Sequence, residues 1–247
     1  MTIVSIYGQF FELRTRFVYG KIQLVLHWGL SLLEPGLFSA VKHELASMPL
    51  SLPISDKERL VALTHNDVLN DVIVDKLFQW RLAAVEFKDL RSPTLDSTKA
   101  WLANNYLANT NKLLFMVESE NMFIGHMGFN LFFSTGSYLE IDNVIRGVKG
   151  RHKGIMTRAL RTMIAWGVET FAPELIYLRT TECNSHAIDF YLKCGFYRTD
   201  TTMSQLYANI LDESSHSLHT ELFMLCEQSD SRFILLALGD IERIASK

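Results

Sequence analysis

The fold class this sequence predicts is mixed α/β (α+β): a central twisted mixed β-sheet flanked by helices. Three observations carry the prediction. From about residue 58 onward, segments of strand and helix character follow in the order β, α, α, β, β, β, α, β, α, β, β. One helix, beginning near Ile155, has an unusually clean amphipathic period, and two adjacent strands are separated by Glu120 and Asn121, a hairpin signal. Internal repeats and low-complexity tracts are absent.

Residues 1–57 mix apolar, aromatic and turn residues without a clean period, and they end in MPLSLPISD, whose prolines and serines read as a linker. This divides the chain into an N-terminal extension of unassigned role (1–57), a domain (58–226) and a C-terminal extension (227–247). LVALT (60–64) reads as a short strand, and Asp67 as the cap of a helix over DVLNDVIVDKLFQWR. SPTLDSTKAWLANNYL is a second helix with Thr94 as its cap and Asp96 in its first turn. KLLFMVES, MFIGHMGFNLFF and YLEIDNVIR are strands. The clean helix follows, with Ile155, Met156, Ala159, Leu160, Met163 and Ile164 on one face and Thr157, Arg158, Arg161 and Thr162 on the other. LIYLRTTE is again a strand. SHAIDFYLKCG is a short helix started by Asn184 or Ser185, with Lys193 in its last turn and Gly195 to stop it. FYRTDTTM and HTELFMLCEQ complete the strands.

The 247 residues suffice for one sizeable domain with an appendage. With 24 basic and 27 acidic residues the net charge is −3, so no global signal announces a nucleic acid or an anionic membrane. Any basic site is therefore local. Three cysteines (Cys183, Cys194, Cys226) without a CxxC argue for reduced thiols in the cytoplasm rather than a disulfide or zinc framework, and no metal is expected. The N-terminal stretch has no basic leader and carries Glu12; the nearest approach to a membrane span, FVYGKIQLVLHWGLSLL, is short and interrupted by Lys21 and His27. A soluble protein is expected.

The basic turn RGVKGRHKGIM (146–156) joins a strand to the clean helix. A helix N-terminus presents unpaired N–H groups and a favourable dipole to anions, so a phosphate is the first ligand to consider. The turn is not a Walker loop, because Gly154 is followed by Ile155 and Met156 instead of Lys and a hydroxyl, and GxGxxG is absent. What remains is R-x-x-G, Arg151 to Gly154.

This segment resembles the (Arg or Gln)-x-x-G-x-(Gly or Ala) turn of the GCN5-related N-acetyltransferase superfamily, with Met156 standing where Gly or Ala is usual. ECNSHAIDFYLKCGF (182–196) is similar to that family's N-x-x-A-x-x-x-Y-x-x-x-G-F segment, matching at Asn184, Ala187, Tyr191, Gly195 and Phe196. FQWR (78–81) is similar to sequences in acetyltransferases acting on amino sugars or protein N-termini. The resemblance implies acetyl-CoA as co-substrate, with the turn's backbone amides around its pyrophosphate. It also implies cofactor contacts for Asn143, Val144, Ile145, Arg146, Arg151, His152, Lys153, Gly154, Ile155 and Asn184, with Lys149 as a further phosphate partner. The bland reading of the basic run is a solvated turn.

Acetyl transfer to an amine needs a neutral amine, a stabilised oxyanion and a proton for the departing thiolate. Strand alternation puts Glu140, Asp142 and Val144 on one face, which makes Glu140 the first candidate base and Asp142 the second. His126 is a rival with a suitable unperturbed pKa, although a lone strand histidine is more often structural. Tyr191 is the candidate acid, set against the alternative of a core aromatic. Cys194 is not needed as a nucleophile. The expected function is N-acetylation of a primary amine on a small molecule, with an amino-deoxy sugar as the named candidate. The alternatives are a protein N-terminus or lysine as acceptor, and an inactive acyl-CoA-binding interaction module. A nucleic-acid binder is disfavoured by the charge balance. Residues 1–57 could cover a sheet edge, form a homodimer contact or shape the acceptor cleft.

Overall fold

A computed structural model describes residues 2–6, 9–18, 21–27, 50–85, 92–132, 138–150, 152–171, 173, 175–199 and 233–238. Strands β1 (Thr2–Ile6), β2 (Gln9–Val18) and β3 (Lys21–His27) form an antiparallel three-stranded sheet within the segment that showed no clean period. The main sheet has eight strands: β4 (Ser51–Ser55), β5 (Glu58–Ala62), β6 (Lys112–Ser119), β7 (Met122–Phe132), β8 (Tyr138–Arg146), β9 (Leu175–Thr181), β10 (Phe196–Arg198) and β11 (Phe233–Leu238). Their spatial order is β10-β11-β9-β8-β7-β6-β5-β4. All pairings are antiparallel except β8 with β9. That parallel pair is joined by a helical crossover, as parallel neighbours require.

The sheet is wider than the span 58–226. SLPIS, expected as linker, is edge strand β4; its Pro53 sits at a register irregularity, a place where a missing N–H is tolerated. At the other end β11 lies beyond residue 226. The strand expected over HTELFMLCEQ falls outside the described residues, as do Arg151 and Cys226.

Helix α1 (Asp71–Ala83) is capped by Asn70, whose side chain accepts from the amides of Val72 and Ile73. Asp67, the expected cap, instead closes a reciprocal cap with Thr64 on the short 3₁₀ turn His65–Leu69. Its carboxylate satisfies an earlier turn because the chain bends once more before α1 begins. Helix α2 (Leu95–Trp101) starts at Thr94 as expected and runs into a wider π-type turn, Leu102–Leu107. The crossover helix is α3 (Ile155–Phe171), and α4 (Ser185–Lys193) is capped by Asn184.

Both faces of the sheet are buried, and period-two alternation sorts the residues between them. On β6, Leu113, Phe115 and Val117 join the core under α3 and α4, while Leu114 and Met116 join the core under α1 and α2. The hairpin at Glu120 and Asn121 has φ of 50° and 62°, the left-handed pair of a type I′ turn, whose twist matches the flanking strands.

Candidate active site

Strand β8 leaves β9 halfway along its length. The parallel pairing runs from Tyr138↔Leu175 to Ile141↔Leu178 and stops, while β9 continues beside β11 to Thr181. The cause lies in β8 itself. Between the pairs His126↔Ile145 and Gly128↔Asp142, β8 carries one more residue than β7, and Asn143 has a φ of 49°. This is a β-bulge, which bends the strand and sharpens its twist. Beyond Ile141 the pairing of β8 with β9 is not continued.

The bulge also flips the side-chain alternation. Leu139 and Ile141 lie in the α3/α4 core, and Val144 packs on that same core, whereas Ile145 belongs to the α1/α2 side. Val144 therefore does not share a face with Glu140 and Asp142, as simple alternation had predicted. An αL residue inserted at Asn143 reverses the phase.

The two acids of β8 have different surroundings. Glu140 is buried (3% exposed), accepts from Arg179 Nε at 2.6 Å and Nη2 at 3.3 Å, and accepts from Asn130 Nδ2 at 3.0 Å. Burial lifts its pKa above the ordinary value, and the Arg179 guanidinium opposes the shift. Asp142, next to the bulge, keeps a partly exposed side chain. Tyr106 donates to its Oδ2 at 2.6 Å, Lys112 Nζ lies 3.5 Å from the same oxygen, and Asn143 Nδ2 bonds the Tyr106 hydroxyl in turn. Tyr106 comes from the π-type turn, a widened turn of the kind that often marks functional sites. Burial, reinforced by the Asp142 charge and its hydrogen bond, holds the Tyr106 phenol well above its usual pKa, so it remains a donor.

Tyr191 approaches from α4, buried at its ring against Phe190 and Phe196. Burial first, then the negative charge of Asp142, pushes its pKa upward, so the phenol keeps its proton. Cys194 is buried and its thiol is likewise pushed up by burial, which removes thiolate at neutral pH and with it the case for a nucleophile. Asn184 commits its side-chain oxygen to the Ala187 amide at 3.2 Å, as a helix cap.

The turn between β8 and α3 combines left-handed residues with a helix N-terminus. Gly150, His152 and Gly154 have φ of 81°, 54° and 78°. Such turns make concave nests of N–H groups that suit anions, and α3 begins directly behind this one; the Ile155 amide, expected among the cofactor contacts, instead donates to His152 O at 3.2 Å and closes the turn. At Gly154 a Cβ would be strained by its φ and would stand 3.1 Å from Arg158 Nη1. Arg158 holds the turn in place: Nη1 donates to Lys153 O at 3.2 Å, and Nε and Nη2 grip Glu58 at 3.0 and 2.5 Å. His152 directs its imidazole back to the sheet, with Nδ1 2.9 Å from Ser119 Oγ, so its side chain braces the turn while its backbone contributes to the nest. Lys149, Lys153 and Arg146 are exposed, and Arg146 Nε donates to Val148 O at 3.0 Å. These residues fit a diphosphate.

Trp80 of the FQWR segment seats the start of this turn. Its indole stacks at 6.0 Å on His126 and occupies the space a side chain at Gly147 would need. His126 is fully buried beneath it and offers an amine no approach, so its side chain belongs to the core. Tyr106, Arg179 and Trp80 had no role assigned from sequence. Tyr106 and Arg179 stand 36 and 39 positions from the β8 acids they touch, and no local pattern links them. Among the described residues no group of three or more His, Cys, Asp or Glu could hold a metal, and no helix is long and apolar enough to cross a membrane.

Residues 74–196 match the family model of the acetyltransferase (GNAT) family. No curated protein matches the sequence. Among solved structures, the chain is similar to a Salmonella typhimurium acetyl transferase that modifies the N-terminal serine of the 50S ribosomal protein L7/L12, at 11% identity and a TM-score of 0.52, over 76% of this chain and 97% of that one. It is similar to FdhC, a nucleotide-linked sugar GNAT, at 13% identity and a TM-score of 0.52, over 77% and 90%. A third is the Vibrio cholerae spermidine N-acetyltransferase in complex with CoA and spermine, at 14% identity and a TM-score of 0.51, over 74% and 96%. At such identities the likeness is one of fold.

Proposed function

The chain belongs, through residues 74–196, to the acetyltransferase (GNAT) family, and on that premise we propose that it transfers acetyl from acetyl-CoA to the primary amine of a small molecule, an amino-deoxy sugar being the first class to test. The observation that carries this reading is the parting of β8 from β9 at the Asn143 bulge, immediately before the anion-binding turn. A thioester arm fits between strands where their ladder ends, and the pairing of β8 with β9 ends at Ile141.

Amides of the 152–156 turn other than that of Ile155, which is bonded to His152 O, hold the diphosphate, assisted by Lys149 and Lys153; Arg151 lies outside the described residues and keeps its expected role as a proposal. Backbone N–H groups at Asn143–Ile145 meet the thioester carbonyl and stabilise the negative charge that develops on its oxygen. Asp142 takes the amine proton. Glu140 is not available for that step, because an approaching amine would have to displace Arg179 and Asn130 from a buried carboxylate. Tyr191, kept protonated by burial, donates to the departing sulfur. Acetyl-CoA supplies the activated acetyl group, and the expected soluble, cytoplasmic location is compatible with its use. The fold neighbours act on protein N-termini, nucleotide-linked sugars and polyamines, so the acceptor rests on the residues of this cleft.

The test is calorimetric titration of the purified chain with acetyl-CoA, free CoA and ATP, followed by an amine screen read by thiol release. Micromolar binding of the CoA species alone, with turnover of at least one amine, is the expected result. Binding without turnover of any amine would transfer the protein to the acyl-CoA-binding module reading.

A further inference from the structure

Arg81 stands in the last turn of α1, 8% exposed, with its Nε enclosed and unpartnered. Among the described residues its guanidinium has neither a carboxylate nor a hydrogen-bond acceptor. What it touches is a π face: Cζ lies 4.0 Å from the centre of the Trp101 ring. Trp101 meets Tyr106 edge-on at 5.0 Å, and Tyr106 bonds Asp142 and Asn143 at the bulge. Two ring contacts thus lead from the buried cation to the acid assigned to the amine.

A buried charge is ordinarily retained with a counter-charge, because removing it from water is expensive and an aromatic face offsets only part of that cost. The β8 acids cannot serve here. Asp142 is held by Tyr106 and Lys112, and Glu140 by Arg179. Nor is Arg81 needed as a core filler. Its neighbours Ile73, Val74, Leu77 and Trp80 already cover the sheet face of α1. An arginine in this position offers a flat fork that matches a carboxylate or a phosphate, and the partner it lacks among the described residues is one a substrate can bring.

We propose that Arg81 is the anion-recognition residue of the acceptor cleft. The acceptor is then a primary amine that carries a carboxylate or phosphate at its other end, which docks on the guanidinium above Trp101 while the amine reaches Asp142. A polyamine, whose far end is a cation, is the class this arrangement rejects. The assignment deepens the acetyltransferase reading and rests on it for the position of the amine.

The test uses matched probes against the full chain saturated with CoA, so that the diphosphate site is already filled. Glucosamine 6-phosphate is compared with glucosamine for the phosphate arm, and alanine with alanine amide for the carboxylate arm. The first readout is the Arg81 Nε–H resonance in nitrogen-15 spectra, which needs no turnover and no variant and is assigned by its loss in Arg81→Met. It is expected to move downfield, saturably, with the anionic member of at least one pair and not with its neutral partner. The second is affinity: Arg81→Met is expected to weaken the anionic member about tenfold or more and leave the neutral one unchanged. An Arg81 signal indifferent to both anions, or anionic and neutral members bound equally, overturns the proposal. Should Arg81→Met fail to fold, the wild-type titration and the Arg81→Lys variant, which keeps the charge without the fork, decide it. A saturable shift with no acetyl transfer to any amine would sink the enzymatic reading and leave the anion site standing.

Discussion

Substituting Gly147 by Ala tests how the FQWR segment is tied to the turn between β8 and α3. A Cβ at this position would stand 1.9, 2.1 and 2.3 Å from Cε2, Nε1 and Cδ2 of Trp80, where real Cβ contacts under 3.0 Å essentially never occur. The backbone of Gly147 is not in the left-handed region, so the whole effect is steric. Trp80 must move, and it has little room: it is 8% exposed and stacked on His126. Overpacking costs about 1–3 kcal/mol when neighbours give a little, and outright loss of a buried Trp costs about 3–5 kcal/mol. A ring struck at three atoms lies between these, so the expected loss is about 3 kcal/mol, or a fall in Tm of roughly 6–12 °C for a chain of this size. The assay is urea unfolding followed by circular dichroism for Gly147→Ala, Trp80→Ala and the double variant. If the indole is the obstacle, Gly147→Ala costs under about 0.5 kcal/mol once the indole is gone, leaving a coupling of about 2.5 kcal/mol. Equal losses in both backgrounds would refute the steric argument and place the role of Gly147 in its backbone.

Other perturbations separate chemistry from architecture. Asp142→Asn is expected to lower kcat/KM about 10²–10⁴-fold with CoA affinity unchanged, whereas Glu140→Gln, which removes the carboxylate held by Arg179 and Asn130, should act on stability and not on turnover; the reverse pattern in paired kinetics and melts would return the base to Glu140. Tyr191→Phe should reduce turnover while CoA binding persists. The raised pKa of Tyr191 also means that the folded state disfavours its ionised form, so wild-type stability falls as pH rises above the ordinary phenol value of 10.0, and the variant should lack that share of the loss in an alkaline melting series. Glu58 is held below its usual 4.5, chiefly by its hydrogen bond from Arg158. Its contribution is therefore present above that value and lost as pH falls through the lowered one, so the Tm gap between wild type and Glu58→Gln should close on acidification. A gap that widened in acid would exclude the Arg158 link as its source.

Much of this site can be read from local pattern. The helix over 155–171 and the caps at Thr94 and Asn184 follow from spacing of three to four residues, because a helix brings such neighbours together regardless of context. The basic turn stands out by its composition between a strand and a helix, and Tyr191 is singled out by the family resemblance of 182–196. Local rules failed where the chain departs from a regular period: Asp67 serves a turn ahead of the helix it was expected to cap, and SLPIS became an edge strand because β5 offered it a ladder despite its proline.

By itself, then, the sequence determined the order and type of the central elements, the anion-seeking turn and the family signature, since each is encoded within a few consecutive residues. Tertiary structure alone decided what surrounds each acid of β8. The bulge at Asn143 reverses the phase of β8, Arg179 neutralises Glu140 from a strand 39 residues away, and Tyr106 reaches Asp142 from a helix end 36 residues before it. The contact of Arg81 with the Trp101 ring belongs to the same class of fact. Partners so distant in sequence are set by sheet order and helix packing, and a charge's role depends on what the fold places beside it.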